Sequence, residues 1–447
     1  MKYEASKRKN ILVVLIGVIL ILCIGLFVKN RMNTLNNASI NEESIVEELD
    51  DNLIGAYIQQ GEEYVKADTI PTSGYEFNEE ESYCKIGDIV QESMTISYDM
   101  ETQTLTVSPI AKEGMKCYLY FDEKASGSEY ILAQEGGIDV IKSKGTPNFS
   151  ESATADEGMY ATEDDYGTSY YYRGAVNDNW IKFGVDSNNN PIYWRIIRIN
   201  GNGTIRLIYN GISTSSTGEN TQIGAYAFNN SNNNNAYVGY MYQIGQVHGL
   251  SIDSNAKVQL DNWYARNLKD EAKYLDGSTG FCGDREPSTN VHISNGLGGT
   301  GTTQTFYGSF IRVNINKTPS LKCLNSSDLY TTAIDNETYP NPKENGNQTL
   351  IYPIGLITAD EVAVAGWVNN SSNSRHYLYT GQAYWTMSPV WYDFGGSGNF
   401  QVNGENYIDY WFVTDTFGLR PVINLKADVQ ITGSGTVSDP FKVVGAS

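Results

Sequence analysis

One stretch constrains this chain before any other. Ile11 to Val28 is a run of eighteen uncharged, apolar residues, ILVVLIGVILILCIGLFV. Wound as a helix at 1.5 Å per residue, it reaches about 27 Å, close to the roughly 30 Å of hydrocarbon in a bilayer. It therefore predicts a single membrane-spanning helix. Lys2, Lys7, Arg8 and Lys9 precede the run, while only Lys29 and Arg31 follow closely. The heavier basic flank marks the N-terminus as cytoplasmic and sends the rest of the chain outside. A cleaved signal peptide is the competing reading, but its apolar stretch normally covers about 7 to 15 residues and ends at a small-x-small site. No such site follows here. Lipidation at Cys23 is disfavoured by the bulky Leu22 before it, which leaves Cys23 as a small hydrophobe in lipid.

The charge of the whole chain is −21, from 31 Lys and Arg against 52 Asp and Glu. Residues 1–31 hold six bases and one acid, so removing their +5 leaves −26 on the exported part. A nucleic-acid partner is excluded, because phosphates must be met by clustered Lys and Arg. Such acidity is compatible with calcium, but neither EF-hand nor glycine-aspartate repeat spacing is present, and no cofactor is expected.

Outside the apolar run stand four cysteines, Cys84, Cys117, Cys282 and Cys323. An extracytoplasmic setting permits disulfides. Of three connectivities, the sequence-local one joins Cys84 to Cys117 and Cys282 to Cys323, each bridge contributing about 4 kcal/mol in the chain-entropy model. Free thiols are the alternative. The spacing is not C-x-x-C, so neither zinc nor thioredoxin-like chemistry is supported.

Behind the cytoplasmic tail and anchor (1–31), residues 32–68 form an acidic stalk. Ile45, Leu49, Leu53 and Ile54 recur at helical spacing and predict a short amphipathic helix. From 69 to 124 the pattern turns to alternation, as in Met94-Thr-Ile-Ser-Tyr98 and Lys116-Cys-Tyr-Leu-Tyr-Phe121, which predicts a small all-β, Ig-like sandwich stapled by Cys84 and Cys117 and serving as a spacer. Residues 125–148 read as a linker. The rest, 149–447, reads as one α+β domain. Two β-branched runs flank Asn200-Gly-Asn-Gly203, a strong hairpin signal. Gly218 to Val238, heavy in Asn, reads as a long exposed loop. A helix is expected after Asp253 or Ser254, with Leu260, Trp263, Tyr264 and Leu268 on one stripe. A second is expected after Thr358, whose spacing to Glu361 is that of a capping box.

Motifs for catalysis are absent. His248, His292 and His376 lie in no nucleophile-elbow or metalloprotease context and are expected on the surface or in loops. Asp360 and Glu361 read as first-turn acids favoured by the helix dipole rather than as a catalytic pair.

Tyr384 to Phe417 differs in kind, interleaving large rings with Gly, Ser, Asn and Asp as recognition loops do. Trp391, Tyr392, Phe394, Asn399, Asn403, Asn406, Tyr407, Tyr410 and Trp411 are the candidate ligand-binding residues. Alternation along strands buries one face, so about half of the rings, Trp385 foremost, are expected in the core.

Trp385-Thr-Met-Ser-Pro389, paired with the closing Thr416-Phe-Gly-Leu-Arg-Pro-Val-Ile-Asn-Leu425, resembles the end of a C-type-lectin-like domain, a shape shared by formylglycine-generating enzymes and by variable proteins of diversity-generating retroelements. Tyr193-Trp-Arg-Ile-Ile-Arg-Ile-Asn-Gly201 and Gly355-Leu-Ile-Thr-Ala-Asp-Glu361, together with Trp385 to Leu425, resemble uncharacterised surface proteins of gut Firmicutes and Mollicutes-like bacteria. Gly74 to Phe121 resembles the module that precedes such domains. The resemblance implies a C-type-lectin-like fold over 149–447 and no particular activity. No cysteine follows Cys323, so oxidase chemistry is not implied, and Glu286-Pro-Ser288 only partly matches the triplet of calcium-dependent lectins. Arg420 is expected to brace the fold, its planar fork suiting carbonyls or a carboxylate. The whole reads as a single-pass, outward-facing binding or adhesion protein for a protein or glycan; a wall-acting hydrolase and a structural envelope protein are the alternatives.

Overall fold

Strand alternation governs most of the molecule, a computed structural model that describes residues 54–447 except 62, 72–73, 101, 109–113, 290–297, 334–345, 368–372 and 405–407. The expected membrane helix, and Ile45, Leu49, Leu53, His292, Asn406 and Tyr407 with it, lie outside the described residues. Among the described residues no helix is long and apolar enough to cross a membrane. The chain divides into two units, Met1–Lys124 and Ala125–Ser447, each with its own core.

In the first unit five strands lie in the order Glu63–Ala67, Ile54–Gln60, Met115–Glu123, Tyr75–Ile86 and Ile89–Val90. The hairpin Thr95–Asp99 with Thr104–Ser108 supplies a second layer. Met115, Cys117, Leu119 and Phe121 alternate inward to meet Ile96, Tyr98 and Leu105. Cys84 and Cys117 stand directly opposite on neighbouring strands and form a disulfide, so the staple also fixes register. The described part of the expected stalk, from Ile54 onward, is strand. Ile54–Gln60 pairs in parallel with Met115–Glu123, Ala56 enters the core, and Tyr57 stacks on Tyr120 at 4.9 Å. Of the four residues at helical spacing only Ile54 is described, and it lies in a strand set by long-range pairing.

The second unit builds two larger sheets. The first has the order Val422–Leu425, Ile205–Tyr209, Pro191–Ile199, Trp180–Val185, Phe441–Val443 and Ile431–Thr432, with Thr168–Gly174 and Asp156–Glu163 added beside Pro191–Ile199. The second runs Ala225–Ala227, Thr416–Gly418, Tyr384–Asp393, Gly396–Val402 and Ile408–Phe412, with Thr305–Phe306 joining Tyr384–Asp393. The Asn200–Gly203 turn joins an antiparallel pair as expected, with Gly203 in the left-handed region at φ 83°. Helix Asn255–Asn267 is capped by Ser254, whose hydroxyl accepts from Lys257 N, and Leu260, Trp263, Tyr264 and Leu268 are buried beneath it. Thr358 and Glu361 form the capping box of helix Ala359–Val364. Cys282 and Cys323 form the second disulfide.

Two expectations are corrected here. Residues 125–148 are no linker: helices Gly127–Gln134 and Ile138–Ser143 bury Ile131, Leu132 and Ile141 in the second unit's core. Gly127 N donates to Val429 O at 2.7 Å, and a Cβ at Gly127 would sit 2.8 Å from that oxygen, so only glycine permits the approach. Nor is the Asn-rich tract 218–238 an exposed loop. Phe228, Asn229, Asn235 and Val238 are buried, and the amides stand in for missing sheet partners. Asn229 Nδ2 donates to Tyr237 O at 2.6 Å, and Asn235 Nδ2 donates to Thr303 O at 2.7 Å.

Candidate recognition surface

The predicted binding residues follow the strands that carry them, and alternation sorts them. Gly396–Val402 is buried along its length, while Ile408–Phe412 beside it is the last strand of its sheet among the described residues. Trp391 is only 8% exposed. Its ring lies over Gly398, where a Cβ would approach it to 2.4 Å, and it is walled by Phe412 at 5.2 Å and Tyr410 at 6.1 Å. Tyr392 and Asn399 are likewise buried, and Asn399 Nδ2 donates to Val238 O at 3.0 Å. These three residues support the sheet and do not face a ligand. Tyr410 is half-buried against Phe310 and Phe400. Trp385 is buried, as expected, and donates Nε1–H to Tyr226 O at 2.9 Å.

Trp411 points the other way and is 48% exposed. Asp409, two residues earlier on the same face, accepts from its Nε1 at 3.2 Å and so fixes the ring's orientation. The ring lies 6.5 Å from Phe417. Together with Ala383, Gln401, Asn403, Gly404, Asp415 and Thr416 these two rings line an open hollow of about 380 Å³. Burial pushes the Asp415 carboxyl above its usual value, and Asn403 Nδ2 reaches Asp409 Oδ2 at 3.5 Å. An aromatic floor with carboxylate and amide groups at its rim suits a neutral or cationic ligand rich in hydrogen-bond donors. The sequence pattern pointed to this surface through Trp411 and Asn403; Gln401, Asp415 and Phe417 escaped it because only the fold brings them together.

Asp409 has a second role. Val413 N donates to Ser397 O, so the two-residue alternation turns the Tyr410 N–H away from the neighbouring strand. That amide is taken by Asp409 Oδ1 at 2.8 Å, and Phe412 O accepts from Asp415 N at 2.9 Å.

A second, much smaller cavity of about 30 Å³ lies within the unit and is lined by charged side chains. Glu361 Oε1 meets Arg198 Nε at 3.1 Å and Arg206 Nε at 2.5 Å, the latter in ion-pair contact without hydrogen-bond alignment. Arg198 also holds Asp164 at 2.7 Å. Arg312 bridges Asp284 and Asp360. Burial pushes the Asp284 carboxyl up, against the pull of Arg312. Burial also works to raise Glu361, but Arg206 and Arg198 hold it below its ordinary value. Asp360 and Glu361, read from sequence as first-turn acids, are therefore also counter-ions of buried guanidinium groups. Both carboxylates of the Asp284–Asp360 pair are committed to one arginine, unlike acids flanking an open cleft.

The two described histidines lie in irregular segments, as expected, but only one is near the surface. His376 is buried, not a surface residue: it stacks on Trp367 at 5.0 Å and accepts from Leu378 N at Nδ1 while Nε2 faces Ala365 O at 2.6 Å. Burial pushes it down to about 3, so it is neutral. His248 is partly exposed between Asp328 (3.0 Å) and Glu286 (3.3 Å), and its hydrogen bond to Asp328 raises its pKa against the effect of burial. Arg420 is buried and braces carbonyls, donating to Tyr209 O and Leu378 O at 3.0 Å each and to Asn210 Oδ1 at 2.7 Å. Among the described residues no group of three or more His, Cys, Asp or Glu could hold a metal ion. No family model, no curated protein and no solved structure matches the chain.

Proposed function

We propose that this is a membrane-anchored, extracytoplasmic binding protein that recognises a protein or glycan through the hollow around Trp411, its second unit having a C-type-lectin-like fold. The observation that carries the reading is Trp411 itself. A tryptophan held half-exposed by Asp409, beside Phe417 and ringed by Gln401, Asn403 and Asp415, is a costly surface residue unless it meets a partner. The apolar run Ile11 to Val28 and the two disulfides support the outward placement. The test is a glycan and cell-wall array probed with the purified chain downstream of the apolar run, with and without chelator, and repeated with Trp411→Ala. A signal abolished by that substitution supports the reading; signals identical for both proteins would place recognition elsewhere.

A further inference from the structure

The hairpin joining Tyr384–Asp393 to Gly396–Val402 turns on two residues, since Asp393 pairs with Gly396. Phe394 and Gly395 both have positive φ, 51° and 79°. A two-residue turn of this kind favours Asn-Gly or Asp-Gly, because the left-handed region penalises bulky side chains. Phenylalanine is among the least suited residues for the position. Nothing repays it locally: Phe394 is 86% exposed, more than any other large hydrophobic among the described residues. The tip is nonetheless held still. Asp393 Oδ1 accepts from Phe394 N at 2.9 Å and from Gln304 Nε2 at 2.8 Å, and Thr305 pairs with Tyr392 behind it.

We infer that Phe394 is a preformed anchor that inserts into an apolar pocket on a protein partner. Strain that persists with no internal contact to justify it points to use, and a rigid tip loses little entropy on insertion. Three features choose the occupant. A sugar needs free hydrogen-bonding groups around the ring, whereas the turn itself offers the side-chain-free Gly395, and Asp393 Oδ1 is already taken by Phe394 N and Gln304 Nε2. A bilayer is disfavoured because one ring is a weak anchor and a chain of net charge −21 is repelled by anionic lipid. A pocket with a neutral or basic rim suits both the ring and the charge. The tip is separable from the Trp411 hollow, so the two are tested independently.

The full-length protein carrying a photo-crosslinking phenylalanine analogue at position 394, or at exposed Val437 as control, is irradiated in the cells that make it and those they contact. A protein joined only from position 394 is then purified and its affinity measured. Phe394→Ala and Phe394→Asn should each weaken binding about 10- to 100-fold, the range for losing one buried ring, while Val437→Ala, at an exposed residue away from the tip, leaves it within twofold. Phe394→Asn guards against misfolding, because asparagine suits the turn and should raise the melting temperature. Adducts only to lipid, no adduct specific to position 394, or equal binding by Phe394→Asn would each overturn the inference.

Discussion

Glu361→Gln should strongly destabilise the second unit. The carboxylate is 2% exposed. It accepts from Thr358 N at 2.9 Å and Thr358 Oγ1 at 3.3 Å, and pairs with Arg198 and Arg206. Glutamine keeps the shape and can still accept from Thr358 N, so the helix cap survives in part. What disappears is charge. Arg198 retains Asp164, but Arg206 is left with Gly280 O at 3.2 Å, Asn424 Oδ1 at 3.4 Å and the Phe281 ring, none of them anionic. A fully buried guanidinium without a counter-ion costs about 3–5 kcal/mol, whereas Thr358→Ala, which removes the hydroxyl cap and spares the charge, costs about 1 kcal/mol. Urea titration of both variants at pH 7 separates the two effects. The pH dependence adds an independent check. The folded pKa of Glu361 is depressed, so its contribution is present above the unfolded value of about 4.3 and is lost as pH falls through the folded pKa. That segment of acid destabilisation should vanish in Glu361→Gln. A loss below about 1 kcal/mol at pH 7, or an unchanged acid limb, would refute the reasoning.

Trp391→Ala should lower stability by about 3–5 kcal/mol through the cavity it leaves, while Trp411→Ala, removing a half-exposed ring, should move the melting temperature little; equal shifts in thermal denaturation would contradict the burial pattern. Replacing both Cys84 and Cys117 by Ala should cost about 4 kcal/mol and unfold the first unit, whose core is small, as read by limited proteolysis; Cys282 and Cys323 replaced together should cost as much in the larger unit without unfolding it. His248 has a raised pKa, so its contribution is complete below about 6.5 and lost as pH rises through the folded value. Accordingly, His248→Gln should lose more stability at pH 5.5 than at pH 8.5 in paired urea titrations.

Legibility followed locality. The Asn200–Gly203 turn, the caps at Ser254 and Thr358 and the local pairing of cysteines each depend on a few neighbouring residues, and all stand as read. The helices in 127–143 carried a local signal too, the Ser126–Glu129 capping box, hidden by the Gly, Ser and Lys around it. Ile54–Gln60 needed Met115–Glu123, some sixty residues on, before it could be a strand. The Asn tract needed carbonyls at 237, 239, 301 and 303 to become interior. Trp391 and Trp411 show the same limit within the candidate site. Both are tryptophans in one aromatic run, yet one rests on Gly398 and the other does not, and no property of either residue alone separates them.

Asp409 gives the exposed end of its sheet a consequence of its own. With the Tyr410 amide occupied by that carboxylate and the Phe412 carbonyl by Asp415, a peptide laid alongside finds two of the hydrogen bonds it would need already spent. Growth of the sheet from one molecule to the next is thereby discouraged, so crowded copies can stand side by side without zipping together.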